Sequence, residues 1–112
     1  MEMLNQVHVR GIVGNARVQK IGDTEMVRFS VATDHAYTNR HGEKVVEVTW
    51  FNCVAFQSVK MPDFTTIAKG AGVEVKGRLR NYRFTDANGA ERTMMEVLAS
   101  DLTVLGEASE TL

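Results

Sequence analysis

The segment PDFTTIAKG, from Pro62 to Gly70, interrupts a sequence that over most of its length alternates between apolar and polar residues with a period of two. Pro62 stands where a helix can begin, Asp63 lies in the first turn, and Gly70 stands where a helix commonly ends. Phe64 and Ile67 follow at helical spacing. The segment therefore predicts one short helix in a chain whose other elements are strands.

The sequence on both sides of this segment has the pattern of β-strands. In the run from Met26 to Thr33, apolar residues fall on one face and Arg28 lies on the other. Turn signals rich in glycine, asparagine and aspartate punctuate the chain, and one of them, Gly14-Asn15, falls inside the first predicted strand. The predicted strands are Gln6–Val18, Glu25–Tyr37, Lys44–Phe56, Val73–Thr85 and Glu91–Leu105. Three strands, a helix and two strands is the element order of the OB-fold, an all-β Greek-key barrel of five strands that binds oligonucleotides and oligosaccharides.

Length and composition point to one globular domain. The chain has 112 residues, and we assign residues 1–106 to the domain and expect a short, frayed end over residues 107–112. Hydrophobic residues make up 44% and charged residues 24%, which argues against disorder along the whole chain. The sequence has no apolar run of the roughly 18 residues that a membrane span needs and no secretory signal, and its single cysteine fits a reducing compartment. These features predict a cytoplasmic protein.

The net charge of −1 conceals an asymmetry along the chain. Residues 1–83 hold twelve Lys and Arg against eight Asp and Glu, a charge of +4. Residues 84–112 hold one basic residue against six acidic ones, a charge of −5. A basic body permits an anionic partner but does not require one.

The residue types used in catalysis and metal binding form no recognisable pattern. His8, His35 and His41 lack metal-ligand spacing with one another or with Cys53. The sequence contains no glycine-rich phosphate loop, nucleophile elbow or HExxH pattern. Cys53 alternates with apolar neighbours and is expected to be a buried, small apolar residue. We therefore predict a protein that is not an enzyme and that uses no metal or other cofactor.

Cations and aromatic rings alternate with apolar residues along the fourth predicted strand. Its even positions, Lys76, Arg78, Arg80, Tyr82 and Phe84, share one face, because successive side chains of a strand point to opposite faces. Cations contact phosphates and aromatic rings stack on unpaired bases, so the pattern is typical of a surface that binds single-stranded nucleic acid. The alternative is a solvated basic edge whose two rings pack against a neighbouring loop.

The third predicted strand is apolar on both faces. Val48, Trp50 and Phe56 lie on one face, and Phe51 and Cys53 lie on the other. One face belongs to the barrel core, and the second needs a ligand, a subunit partner or the helix to cover it. Because aromatic residues on strands usually belong to the core, Trp50 and Phe56 have that alternative role.

These residues and their spacing resemble the bacterial single-stranded DNA-binding protein family over roughly Val7 to Gly106. The landmarks are GIVGN at 11–15, VRFSVAT at 27–33, GEK at 42–44, TWFNCVAF at 49–56, KG at 69–70, VEVKGRLR at 73–80 and TDANG at 85–89. The resemblance implies an OB-fold protein that coats single-stranded DNA in replication, recombination and repair, in the cytoplasm and associated with the nucleoid.

The resemblance also implies which residues contact DNA. The base-stacking positions of the family correspond to Tyr37, Trp50, Phe56 and Phe84. Tyr37 and Phe84 stand where some members have tryptophan, so a smaller stacking area and a lower affinity per nucleotide are expected. The phosphate contacts would come from Arg28, Lys44, Lys76, Arg78, Arg80 and Arg83.

Three departures from the family pattern bear on assembly and partners. The resemblance implies a homo-oligomer, with a tetramer favoured over a dimer. Phe51 and Asn52 stand where many members have His-Arg, at a position tied to subunit assembly, which removes a cation there and leaves the number of subunits open. Pro62 lies within what is a longer helix in relatives, so the helix should start late or kink. The long acidic tail that recruits repair and replication proteins has no counterpart here, so no recruitment of this kind is expected. Since the sequence has no apolar run of membrane-spanning length, no membrane partner is expected either.

Two other functions stay open at the level of the sequence. The first is a primosome-type accessory OB protein that mainly bridges replication proteins. The second is an assembly subunit in which Trp50 and Phe56 are buried in a protein interface. Tight binding of an unstructured oligonucleotide separates DNA coating from the second alternative, and binding of helicase-loading partners would favour the first.

Overall fold

The alternating segments form five strands in the computed structural model, which describes residues 1–107. The strands are β1 (Val7–Ile21), β2 (Thr24–Thr38), β3 (Lys44–Phe56), β4 (Ala71–Thr85) and β5 (Glu91–Glu107). They close into a barrel in the order β1-β2-β3-β5-β4. The predicted all-β class and five-stranded barrel are confirmed, and every predicted strand boundary lies within three residues of the observed one.

Strand pairing is unequal around the barrel. The β2–β3 hairpin and the β4–β5 hairpin each pair along nearly their whole length. The strand β1 pairs with β4 through Val7–Ile12 and then with β2. By contrast, β3 and β5 run parallel and pair only through Cys53 with Val97 and Val54 with Leu98, a contact that we call the seam. The two hairpins are therefore joined by β1 on one side and by the seam on the other.

The strand β1 changes partners at a β-bulge. Gly14 and Asn15 together lie opposite the single residue Ser30 of β2. The Gly14-Asn15 signal therefore marks a bulge within a continuous strand and not a turn between strands. A bulge bends its strand and increases the local twist, which is what β1 needs in order to leave β4 and join β2 around the corner of a small barrel.

Valines from every strand fill the core, and the segment between β3 and β4 closes it. Val27 and Val31 of β2 and Val73 of β4 are 0% exposed. Phe64 and Ile67 belong to the same buried cluster. Since burying one such side chain stabilises a fold by about 1.5–3 kcal/mol, these two contribute about 3–6 kcal/mol.

The short helix predicted over residues 62–70 is in fact a single 3-10 turn, Phe64–Thr66. The Oδ1 atom of Asp63 accepts a hydrogen bond from the backbone N–H of Thr65 at 2.9 Å and caps the start of this turn. Two threonines lower the helix propensity of the segment that follows. The expectation that Pro62 delays the start of the helix agrees with a turn that begins at Phe64.

The exit from this turn is fixed by the core and by β1. Ile67 leaves helical geometry with φ −88° and ψ 86°, and its side chain is buried. Gly70 has a φ of +91°, which other residues adopt only with strain, and its N–H donates to the carbonyl of Val13 at 2.9 Å. The segment thus ends as a plug for the barrel and not as a helix.

At the C-terminal end, β5 continues through Glu107, the first residue of the predicted frayed end. Residues 108–112, the rest of that prediction, lie outside the described residues. Within residues 1–107, no helix is long and apolar enough to cross a membrane.

Candidate nucleic-acid interface

A groove of about 690 Å³ runs over the barrel surface between the two hairpins. Its lining includes Ser30 of β2, Asn52 of β3, Tyr82 and Phe84 of β4, and Glu96 of β5. The volume lies within the range of roughly 300–1,000 Å³ that is typical of small-ligand sites. Rings for stacking and amide, hydroxyl and charged groups for hydrogen bonding line the same groove, so it can hold a flat polar group such as a nucleobase.

Trp50 lies next to this groove with its ring on the β1 bulge. Its side chain is 57% exposed, and a methyl group at Gly14 would lie only 2.4 Å from its Cζ3 atom. The ring therefore rests on a backbone surface that has room for it only because residue 14 is glycine. Beside it, the hydroxyl of Ser30 donates to Oδ1 of Asn15 at 3.0 Å and fixes the bulge.

Phe56 and Phe84 are also exposed, by 39% and 37%. Phe56 lies on the same face of β3 as Trp50, six residues further along, which is roughly 20 Å at the rise of a strand. The ring centroids of Phe84 and Tyr82 are 5.8 Å apart, with the planes inclined by 58°. Since the chain leaves Trp50 and Phe56 accessible, the alternative in which these two rings fill its core does not hold.

Tyr37 lies apart from these three rings, on the β2–β3 hairpin. It is 41% exposed and stacks on His35 with 6.1 Å between ring centroids. By the alternation of the β2–β3 ladder, Tyr37 and Trp50 are on opposite faces. Lys44 pairs with Thr38 on the same hairpin. The structure therefore places two of the predicted DNA contacts on a projecting arm and not in the groove.

Two of the predicted phosphate contacts, Arg28 and Arg80, meet at the buried carboxylate of Glu96. Glu96 is 2% exposed, its Oε2 accepts from Nη1 of Arg28 at 2.6 Å, and its Oε1 accepts from Nε of Arg80 at 2.9 Å. Arg80 and Glu96 are direct cross-strand partners. Breaking a buried ion pair by removing one partner costs about 3–5 kcal/mol, so this cluster holds both guanidinium groups in place.

The guanidinium of Arg28 also covers an aromatic ring. Its Cζ atom lies 4.1 Å from the ring centroid of Tyr82. This cation–π contact joins β2 of one hairpin to β4 of the other, across the groove. We call Arg28, Arg80, Glu96 and Tyr82 the arginine cluster.

The remaining predicted cations lie elsewhere. Lys76 and Arg78 line a second groove of about 570 Å³, together with His8 and Asp101. The strand twists around the barrel, so the predicted stripe of even positions is divided: Lys76 and Arg78 line the second groove, and Tyr82 and Phe84 line the first. Arg83 is an exposed odd position of β4 and faces away from the ring-bearing side.

Burial and pairing shift the pKa values of two other groups among the described residues, Cys53 and Glu74. Burial, and secondarily the charge of Glu96, raises the pKa of the Cys53 thiol to about 12, so that it is protonated and unreactive at neutral pH. Hydrogen bonds from His8, and then from Arg10, lower the pKa of Glu74 on the outer face of the barrel. In the described part of the chain, His, Cys, Asp and Glu form no group of three or more that could hold a metal ion.

Sequence reasoning had not assigned Tyr82 and Glu96 to the site. Tyr82 carried a signal, since it lies between Arg80 and Phe84 in the alternating stripe. Glu96 carried a weaker one, a lone carboxylate beside the apolar pair Met94-Met95 and before Val97. Its partner Arg28 lies on β2, and the alternation within a single strand does not identify such partners.

Comparison with known proteins identifies the relatives of this chain. A family profile described as "Single-strand binding protein family" matches residues 4–105. The chain is 28% identical over 109 residues to the single-stranded DNA-binding protein of Neisseria meningitidis serogroup B, a match that covers 96% of this chain and 63% of that protein. The chain therefore spans slightly less than two thirds of the length of the first curated relatives that it matches.

Solved structures with the same fold include two single-stranded DNA-binding proteins. The Plasmodium falciparum protein in complex with single-stranded DNA superposes with a TM-score of 0.74 at 23% identity, over 94% of this chain and 97% of that one. The small protein from Streptomyces coelicolor superposes with a TM-score of 0.68 at 21% identity, over 91% of this chain and 95% of that one. These likenesses confirm the predicted OB-fold.

Proposed function

This chain belongs to the single-strand binding protein family, and we propose that it coats single-stranded DNA without strong sequence preference. The observation that carries the proposal is the exposure of Trp50, Phe56 and Phe84 around a groove that also holds basic side chains. Each base stacked on an aromatic ring contributes about 1–3 kcal/mol whatever the base, because every base has a π-face.

The proposed mechanism is binding alone, with no bond made or broken. Trp50, Phe56 and Phe84 stack on bases, and Tyr37 adds a contact on the β2–β3 arm. Phosphates meet cations on the surrounding surface, where each contact releases counterions and makes the affinity depend on salt. The cations proposed for this role are Arg28, Lys44, Lys76, Arg78, Arg80 and Arg83. Coating of this kind protects single strands in replication, recombination and repair, and we place the protein with DNA in the cytoplasm.

Intrinsic fluorescence tests this proposal directly, because Trp50 is the only tryptophan. Addition of poly(dT) should quench its emission, and duplex DNA of equal length should change it little, since a duplex hides its base faces. Failure to bind poly(dT) at low salt would overturn the proposed function. Binding shown by another method with unaltered emission would remove Trp50 from the interface.

Substitution of single aromatic residues measures how much each ring contributes to the free energy of DNA binding. Trp50→Ala and Phe84→Ala should each weaken oligo(dT) binding by about 1–3 kcal/mol, the range for one lost stack. Val59→Ala is the matched control, since Val59 is a fully exposed apolar side chain away from the groove. Thermal unfolding monitors stability, and a loss of about 3–5 kcal/mol in Trp50→Ala would indicate a buried structural ring.

We also propose that the chain assembles with copies of itself, with a tetramer favoured over a dimer. Within residues 1–107, Val7–Gly11 pairs with β4 on one side and has no strand on the other. An open edge of this kind is a ready site for pairing with another chain. Val46 and Val48 of β3 are 60% and 53% exposed and offer apolar surface to cover. Light scattering that shows a monomer at micromolar concentration would overturn this proposal.

A further inference from the structure

Two of the cations proposed to contact phosphates, Arg28 and Arg80, are already bound to a carboxylate of the protein. Arg28 gives one edge of its guanidinium to a carboxylate that is 2% exposed, and it lies over the ring of Tyr82 at 4.1 Å. A phosphate would have to compete with the buried Glu96 for this group. Arg80 is bonded to the same carboxylate through Nε and Nη2, both at 2.9 Å. Two arginines here share one internal counter-charge.

A guanidinium that is bound to a carboxylate through its edge still has a flat face on which a base can stack. It is planar, one of its faces covers Tyr82, and the side chain of Arg28 is still 36% exposed. The same groove is lined by Phe84 and by the exposed amide of Asn52. Unpaired bases stack on guanidinium planes as well as on aromatic rings. The exposed face of Arg28 is therefore suited to a base and poorly suited to a phosphate.

We propose that Arg28 and Tyr82 form a stacked platform for one nucleobase of the single strand, and that Glu96 is the positioning residue that holds it. The proposal rests on the proposed function and changes the role of Arg28 from a phosphate contact to a stacking contact. It also gives Tyr82 a role, which is to support the guanidinium of Arg28 from the face opposite the base. Arg28, Tyr82 and Phe84 line the same groove, so a strand held there can reach the platform.

Substitutions that keep the charge but remove the plane test the platform. Arg28→Lys keeps the cation and loses the flat guanidinium, so oligo(dT) affinity should fall by about 5- to 150-fold, as for one lost stack. Tyr82→Leu should weaken binding by a similar factor, and Tyr82→Phe, which keeps the ring, should restore it. Arg10→Lys is the matched control, because Arg10 also bonds a carboxylate, that of Glu74 at 3.2 Å on the outer face of the barrel, but covers no ring among the described residues.

The salt dependence separates stacking from phosphate contact. The slope of log affinity against log salt changes by about 0.7 for each phosphate contact to a single strand. Tyr82→Leu should leave this slope unchanged, whereas the loss of a cation that contacts a phosphate would make it shallower by about 0.7. Glu96→Gln removes the internal counter-charge, so the slope should become steeper by about 0.7, a change that a purely structural role would not produce.

The outcomes are distinguishable. If the unaltered protein does not bind oligo(dT), the proposed function itself fails. If it binds but Arg28→Lys or Tyr82→Leu binds as tightly, the platform is wrong and the proposed function stands. Should Glu96→Gln fail to fold in a thermal melt, Glu96→Asp keeps the charge and shortens the reach by one methylene. It should lower affinity, and either Glu96 variant with unaltered affinity and slope would overturn the positioning role.

Discussion

Gly14→Ala is the smallest change that should displace the ring of Trp50. The added methyl group would lie 2.4 Å from Cζ3 and 2.6 Å from Cη2 of that ring, whereas carbon atoms pack at about 3.5–4.0 Å. The ring must therefore move outward by roughly 1–1.5 Å. Gly14 does not have a positive φ, so alanine adopts its backbone conformation without strain.

The expected effect is on binding and not on folding. A side chain pushed off its rotamer costs about 0.5–1.5 kcal/mol, and replacing a strand glycine by alanine returns about 0.5–1 kcal/mol. Stability should therefore change by less than about 1 kcal/mol. The displaced ring loses part or all of one base stack, so oligo(dT) affinity should fall by up to about 1–3 kcal/mol.

Fluorescence titration with oligo(dT) and thermal unfolding measure these two quantities on the same samples. Gly72→Ala is the matched control, since its added methyl group would lie 3.6 Å from the nearest atom, an ordinary contact. In a Trp50→Ala background, Gly14→Ala should have no further effect on affinity, because the ring that it displaces is gone. Gly14→Ala with unaltered Trp50 emission and unaltered affinity would refute the reasoning.

Three further predictions concern stability and reactivity. Gly77→Ala would place a methyl group 2.0 Å from the backbone oxygen of Leu98, so it should open the β4–β5 ladder. The free energy of unfolding should fall by at least about 1–3 kcal/mol, and an unchanged denaturation midpoint would contradict this. Because the pKa of Cys53 is about 12, a thiol reagent at pH 8 should label it only in denaturant, and rapid labelling of the native protein would show the thiol to be accessible. The hydrogen bond from Arg92 holds the pKa of Asp86 below its ordinary value of 3.8, so this contribution to stability is present above that pH and is lost as the pH falls through the lower folded pKa. Asp86→Asn should therefore lower the melting temperature more at pH 7 than at pH 2, and equal effects at both would argue against the ion pair.

The strands could be predicted from sequence because each carries its own signal. In β2, the alternation that begins at Val27 directly records which side chains face the core, and turn residues mark where the strand ends. The exposed rings could be located for the same reason, since Trp50 and Phe84 fall at fixed positions of alternating strands. The resemblance then assigned them a role that alternation alone does not reveal.

What sequence reasoning missed depends on contacts between distant segments. The segment 62–70 has helical spacing, but Phe64 and Ile67 are buried in the barrel core. Ile67 leaves helical geometry where its side chain is buried, and the helix is limited to one turn. The pairing of Arg28 with Glu96 joins β2 to β5, and nothing in either strand alone identifies the other. The stripe on β4 is divided between the two grooves because the strand twists around the barrel, and the alternation of residues along a strand does not record that twist.

The seam is the place where the barrel should open locally most easily. Because β3 and β5 pair only through Cys53 with Val97 and Val54 with Leu98, the two hairpins can part there while each stays internally paired. Such partial opening requires less free energy than global unfolding, so amide hydrogens at the seam should exchange with deuterium faster than those in the middle of the β2–β3 hairpin. Arg28 and Glu96 belong to different hairpins and meet in the groove. A ligand that lies across both hairpins would hold the barrel shut, and its binding should be visible as slower deuterium uptake at the seam.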